Sequence, residues 1–178
     1  DDELANIDAK NLNGLIIDLR GNPGGYLGSA IEIASAFQKD GVVLYEQFGD
    51  GTEQTFNTDG SYDGIEIPLV VLVDERSASA SELVSGAWQD NGVAKLIGVT
   101  TFGKGTVQTQ NDLVNGGGLR LTIAHWLTPK HNWIHKQGIT PDIVVEWAAE
   151  DRQTNPDQDP QLQAALDYLK ELTPAVSQ

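Results

Sequence analysis

The chain has 178 residues, enough for one domain with a sizeable core, and its 39% hydrophobic and 21% charged content suits a globular rather than a disordered chain. Its 26 acidic side chains outnumber 11 basic ones, and the net charge of −15 opposes nucleic acid and anionic membrane as partners. The lack of cysteine excludes disulfides, thiolate metal sites, iron–sulfur clusters and a cysteine nucleophile. With no methionine either, the chain reads as a processed product or a piece of something longer. It opens Asp1-Asp2-Glu3, which is no signal peptide, and apolar stretches such as Pro68 to Val73 are too short to span a bilayer.

In chain order, Leu4, Ile7 and Leu12 give residues 3–12 the spacing of a helix end, stopped by Asn13-Gly14. Leu15 to Leu19 predicts a buried strand, and Arg20-Gly21-Asn22-Pro23-Gly24-Gly25 a dense turn. A helix is predicted over residues 28–38, then a strand over Val42 to Tyr45. Residues 48–65 read as a polar surface excursion with a strand near Gln54 to Asn57. Pro68 to Val73 is a second buried strand, and Leu83, Val84, Ala87 and Trp88 share one face of a helix over 80–91. Strands follow at Ala94 to Gly98, Thr106 to Asp112, a strongly alternating Leu119 to Leu127, and Ile143 to Glu146. Gly116-Gly117-Gly118 makes a hairpin turn.

The organisation read from this is a core over 1–147, a polar linker over 148–158 and a terminal helix over 159–172. Asp159-Pro160 caps that helix, and Leu162, Ala165, Leu166 and Leu169 line its apolar face. Helices alternating with apolar strands make the fold class α/β.

Four segments could carry chemistry. Ser77-Ala78-Ser79-Ala80-Ser81-Glu82 follows a buried strand and opens a helix. A serine there meets the free N–H groups of a helix N-terminus, which favour developing negative charge, although ordinary N-capping explains the same residues. Thr101-Phe102-Gly103-Lys104-Gly105-Thr106-Val107-Gln108 holds a lysine between glycines. If neighbours bury it, its charged form is disfavoured and it can take a proton from a serine hydroxyl; otherwise it is a solvated loop lysine. The paired glycines at 24 and 25 can bare N–H groups as an oxyanion hole does, or simply make a tight connection.

The fourth segment holds the histidines. His131 and His135 are four apart, but no Glu adjoins His131, so a metal site is not expected; His135 reads as a hydrogen-bonding or site-wall residue. Gly98 to Gly105 imitates a phosphate-binding loop but has Gly105 where Ser or Thr must bind Mg²⁺, and a strand where a helix must start.

Together with Gly14 to Gly25, Leu127-Thr128-Pro129, Gly138-Ile139-Thr140-Pro141-Asp142 and Asp159-Pro160-Gln161-Leu162, these segments resemble, in order, the carboxy-terminal processing (tail-specific) proteases, the Ser/Lys peptidases of family S41. The resemblance implies a crotonase/Clp-protease-like core with helices packed on a strand layer. It implies Ser79 as nucleophile, Lys104 as general base and Gln108 as the residue orienting that lysine. It implies the backbone N–H groups of Ala80 and Gly25 as the oxyanion hole, with Gly24 the fallback for Gly25. No cofactor and no metal are implied.

The implied substrates are proteins or peptides with apolar C-termini, cut near the terminus through an acyl-enzyme. A PDZ domain is expected in the full-length chain, and export to the periplasm, cell envelope or a lumen is expected of the whole protein. A non-catalytic relative that binds peptide C-termini is the alternative.

Overall fold

A computed structural model describes residues 12–114 and 116–172, so the helix expected over 3–12 lies outside the described residues except at its last position. The strands are β1 (Leu15–Asp18), β2 (Val42–Phe48), β3 (Glu53–Asn57), β4 (Leu69–Val73), β5 (Lys95–Gly98), β6 (Thr106–Asp112), β7 (Gly118–Leu127) and β8 (Ile143–Val144). The helices are α1 (Leu27–Phe37), α2 (Ala80–Asn91), α3 (Ala149–Thr154) and α4 (Pro160–Leu172).

Two sheets form. One is parallel throughout, in the order β1-β4-β5-β8. Its centre, β4, is an unbroken apolar run because both of its faces are covered. Leu69, Val71 and Val73 face a core shared with Ala30, Ala34, Leu83, Ala87 and Trp88, whereas Val70 and Leu72 join Ile97 against Ala165 of α4. Trp88 is completely buried and ties α2 to α1: its Nε1–H donates to the Ala34 carbonyl at 3.1 Å and its ring meets Phe37 edge-on at 5.4 Å.

The second sheet is antiparallel, in the order β3-β2-β7-β6. β2 runs to Phe48, beyond the predicted Tyr45, because it has pairing partners on both sides there. It meets β7 only between Tyr45–Phe48 and Ala124–Leu127. Farther out, β7 pairs with β6 alone, so the two strands leave the sheet as a two-stranded arm. The alternation in β7 predicts a half-buried strand. Burial occurs only at its root, at Ala124, Trp126 and Leu127, while Leu119, Leu121 and Ile123 are exposed along the arm.

The polar stretch after β8 contains α3, six residues long. It is anchored by Trp147, whose ring lies under the guanidinium groups of Arg20 at 5.5 Å and Arg152 at 5.8 Å. Among the described residues no helix is long and apolar enough to cross a membrane.

Candidate active site

β1 and β4 are parallel neighbours, so the turns after both emerge together at the carboxyl edge of the sheet. Those turns are the Arg20–Gly25 and Asp74–Ser79 segments, and they are bonded to each other. Ala78 N–H donates to the Asn22 carbonyl at 3.0 Å and Ser81 Oγ–H to the same oxygen at 3.1 Å. Ser77 Oγ–H donates to the Leu19 carbonyl at 2.7 Å.

Asp74 is fully buried beneath both turns, and its Oδ1 accepts the N–H groups of Gly21 at 2.8 Å, Arg76 at 3.0 Å and Ser77 at 3.0 Å. Burial pushes this carboxyl up, but those N–H groups and the Arg76 charge together pull it below the ordinary 3.8. A carboxylate with a depressed folded-state pKa contributes stability that is present above its unfolded value and lost as pH falls. In urea unfolding, the stability advantage of wild type over Asp74→Asn is therefore expected to shrink as pH is lowered through 3.8.

Ser79 stands at the N-cap of α2 with φ 55° and ψ −119°. A positive φ is costly for a side chain with a Cβ, of the order of 1–3 kcal/mol, and persists only where the surroundings impose it. Here Ser79 and Glu82 have the arrangement of a capping box, with the Ser79 N–H donating to Glu82 Oε2 at 2.9 Å. Gly24 presses from the other side. It has φ +92°, and a Cβ built on it would lie 2.5 Å from the Ala78 carbonyl oxygen and 2.6 Å from the Ala80 nitrogen.

The same Glu82 holds the lysine loop. Its completely buried carboxylate also accepts Lys104 N–H at 2.9 Å on Oε2, and Gly103 N–H at 2.7 Å and the Thr101 hydroxyl at 2.5 Å on Oε1. Gly103 and Gly105 are required because this loop lies directly on the backbone of residues 134–138. A Cβ on Gly105 would come within 2.7 Å of the His135 nitrogen, and one on Gly103 within 2.8 Å of the Gly138 nitrogen. The backbone of Lys104 is thus fixed, but its side chain is exposed. The burial by neighbours that the sequence reading requires is not supplied by the described residues, because glycines on either side have no side chain with which to cover it.

Ser79, Lys104 and Gln108 line one cavity of about 160 Å³, together with Gly25 and Ala80. Its remaining walls are largely apolar: Leu27, Leu44, Leu83, Val107 and Trp126. The Gly24 N–H is engaged by Asn22 Oδ1 at 2.9 Å. No hydrogen bond among the described residues uses the N–H of Gly25, and that of Ala80, the first residue of α2, has no intrahelical acceptor. Two bare N–H groups therefore border the serine.

Residues 1–145 match the family model described as Peptidase family S41. The chain belongs to that family. It is 43% identical over 168 residues to a carboxyl-terminal-processing protease of Synechocystis sp., covering 93% of this chain and 39% of that one. It is 42% identical over 148 residues to the carboxy-terminal processing protease CtpB of Bacillus subtilis, covering 80% of this chain and 30% of that one. This chain therefore spans well under half the length of these relatives. Among solved structures it matches a photosystem II D1 C-terminal processing protease with a TM-score of 0.75 at 33% identity, over 80% of this chain and 37% of that one. The architecture is accordingly the α/β core of the Clp-protease/crotonase type.

Other segments with family-like or motif-like sequences lie away from the cavity. His131 stacks on Tyr45 at 4.0 Å, with Nε2 3.4 Å from Glu53. His135 stacks beside Trp133 at 5.4 Å; as to the two roles expected of it, its buried Nδ1 has no hydrogen-bond partner and it is not among the residues lining the cavity. The phosphate-loop imitation runs into β6, a strand, as the sequence indicates.

Two residues of the site carry no role in the sequence reading. Glu82 lies inside a recognised segment, but only the fold brings Thr101, Gly103 and Lys104 to it. Glu46 could have been found by periodicity, since it shares a strand face with Leu44 two residues earlier.

Proposed function

We propose that Ser79 is the nucleophile, and Lys104 the general base, of a serine endopeptidase that cleaves proteins near their C-termini through an acyl-enzyme. The observation that carries this reading is the single cavity on which the serine, the lysine, Gln108 and the N–H groups of Gly25 and Ala80 converge. Family membership supports the reaction class.

In the first step neutral Lys104 takes the Ser79 hydroxyl proton as Oγ bonds to the peptide carbonyl carbon. The oxygen becomes negative and is met by the N–H groups of Gly25 and Ala80, aided by the N-terminal end of α2. The carbon–nitrogen bond then breaks, the amine leaving with the proton from Lys104. Water attacks the resulting ester with Lys104 again accepting a proton, and the serine oxygen departs taking that proton, which restores the hydroxyl and the neutral amine and releases the acid. The described residues leave the Lys104 side chain exposed, so it is bound peptide that covers it. Gln108 borders the cavity beside Lys104 and orients its amine.

A peptide-binding PDZ domain elsewhere in the whole protein supplies the selection of C-termini. The exposed Lys104 is the one feature that favours the alternative, a relative that binds peptide C-termini without cleaving them.

The deciding experiment is mass spectrometry of an unfolded protein with an apolar C-terminus after incubation with the whole protein. Ser79→Ala and Lys104→Ala are each expected to lower cleavage by at least about a thousandfold while leaving the thermal transition in place. Peptide affinity without turnover in the unaltered protein, or cleavage that survives either substitution, would overturn the assignment.

A further inference from the structure

The cavity beside Ser79 has one wall that the reaction does not use. Glu46, on β2, is only 8% exposed, and it stands directly across from Trp126 of β7 in the sheet. Both side chains line the cavity, among Leu27, Leu44, Leu83 and Val107. No hydrogen bond or ion pair engages the Glu46 carboxyl among the described residues. Lys104 borders the same cavity but forms no ion pair with it.

The side chain is largely covered, but its carboxyl oxygens are not among the fully buried polar atoms, so this unpartnered group keeps one open side, and any ligand that closes that side must satisfy it. Burial pushes the Glu46 carboxyl above its ordinary value. A stable fold keeps such a group where something outside the protein satisfies it. The cavity is the open side of this carboxyl, and its volume of about 160 Å³ is close to that of an engineered apolar cavity which holds a benzene ring, about 150 Å³. It fits one side chain of moderate size.

We propose that Glu46 determines specificity, making this cavity the receptor for a substrate side chain with an apolar stem and a hydrogen-bond donor at its end. The inference rests on the reading of Ser79 as nucleophile and of Gly25 and Ala80 as the oxyanion donors. The attacked carbonyl then lies at the cavity mouth, and the side chain of the same residue enters it. Aliphatic stem atoms meet Leu27, Leu44, Leu83 and Val107, and the terminal hydroxyl, amide or ammonium donates to Glu46. A purely aliphatic side chain of the same shape fills the cavity but leaves the carboxyl unpaired, and this difference creates the selectivity.

The test compares pairs of peptides that differ only at the residue supplying the cleaved carbonyl: Thr against Val, and Lys against Met. The whole protein is expected to favour Thr and Lys by about tenfold in kcat/KM, the equivalent of one hydrogen bond. Glu46→Leu is expected to abolish or reverse both preferences. Because each preference is a ratio measured within one variant, a loss of folded enzyme cancels.

If Glu46→Leu does not fold, Glu46→Gln replaces it. The amide still accepts from Thr, so the Thr preference is retained while the Lys preference falls. Ratios unchanged by Glu46→Leu, a Lys preference unchanged by Glu46→Gln, or a wild-type preference for Val and Met, overturn the proposal. An accompanying peptide with Ala at that position separates the two readings: failure of the wild type to cleave any of the peptides counts against the protease assignment. The selectivity is then read from the affinity of the protein for product-like peptides ending in Thr or Val, where equal binding overturns the role of Glu46.

Discussion

Replacing Glu82 by glutamine is expected to lower unfolding free energy by about 3–6 kcal/mol, the sum of two lost charge-assisted hydrogen bonds at roughly 1.5–3 kcal/mol each. The carboxylate accepts from Ser79 and Lys104 on one oxygen and from Thr101 and Gly103 on the other. An amide offers a single accepting oxygen, so two of the four donors would face its NH₂. Among the described residues no Lys or Arg pairs with Glu82, and these four donors replace its hydration. Against a typical domain stability of about 5–15 kcal/mol, the loss is large enough to bring the fold near its limit.

Thr101→Val is the natural comparison. The Thr101 hydroxyl donates to Glu82 and accepts the Ile139 N–H at 2.8 Å, so its removal costs less, about 1–3 kcal/mol. Urea denaturation of the two variants gives the order. Glu82→Gln no more destabilising than Thr101→Val would mean that the carboxylate is not what joins the two loops.

The second large effect is expected at Gly24. Alanine there adds a Cβ at φ +92° that meets the Ala78 carbonyl, the Ala80 nitrogen and Ser79 Cβ at 2.5, 2.6 and 2.9 Å. The first two are backbone atoms and cannot swing aside. The strained conformation alone costs about 1–3 kcal/mol, and relief of the overlap must move the Asn22–Gly25 turn away from the serine. A displacement of about 1 Å at a reacting centre can lower rate a hundredfold. Gly24→Ala is therefore expected to lose about a hundredfold or more in peptide cleavage along with stability. A Cβ on neighbouring Gly25 meets nothing within 4 Å, so Gly25→Ala is expected to stay within about 0.5 kcal/mol of wild type. Equal effects of the two alanines on the thermal transition would refute the steric account.

Much of the architecture was legible in the chain because its strongest signals are local. The unbroken apolar run that becomes β4 and the one-faced pattern of α2 both report burial directly. The arm was not legible. Alternation in β7 shows that one face is apolar, but whether anything covers that face depends on where β2 stops pairing, which no periodicity contains. The segment after β8 reads as a linker because α3 has no buried side chain to give it a period.

At the site, the serine, the lysine and the glycine turn stood out through their glycine and small-residue surroundings. The exposure of Lys104 was one of two readings left open there, and the flanking glycines that mark the loop are also what leaves it uncovered. Glu82 and Glu46 read as ordinary acidic residues. Their importance comes from contacts between segments far apart in the chain.

The arm has a consequence for the dynamics of the site. A lone two-stranded ribbon is marginally stable in water, so local opening should begin at its outer pairs and run inward. The pairing of β6 with β7 shifts register between Val107 and Gln108, which is where β2 ceases to support β7 on its other side. Lys104 lies inward of that break, its backbone clamped to Glu82, whereas Gln108 lies at the first position beyond it. Fraying of the arm thus reaches Gln108 while Lys104 and Ser79 keep their frame, so residues that line one cavity belong to regions that open at different free-energy cost.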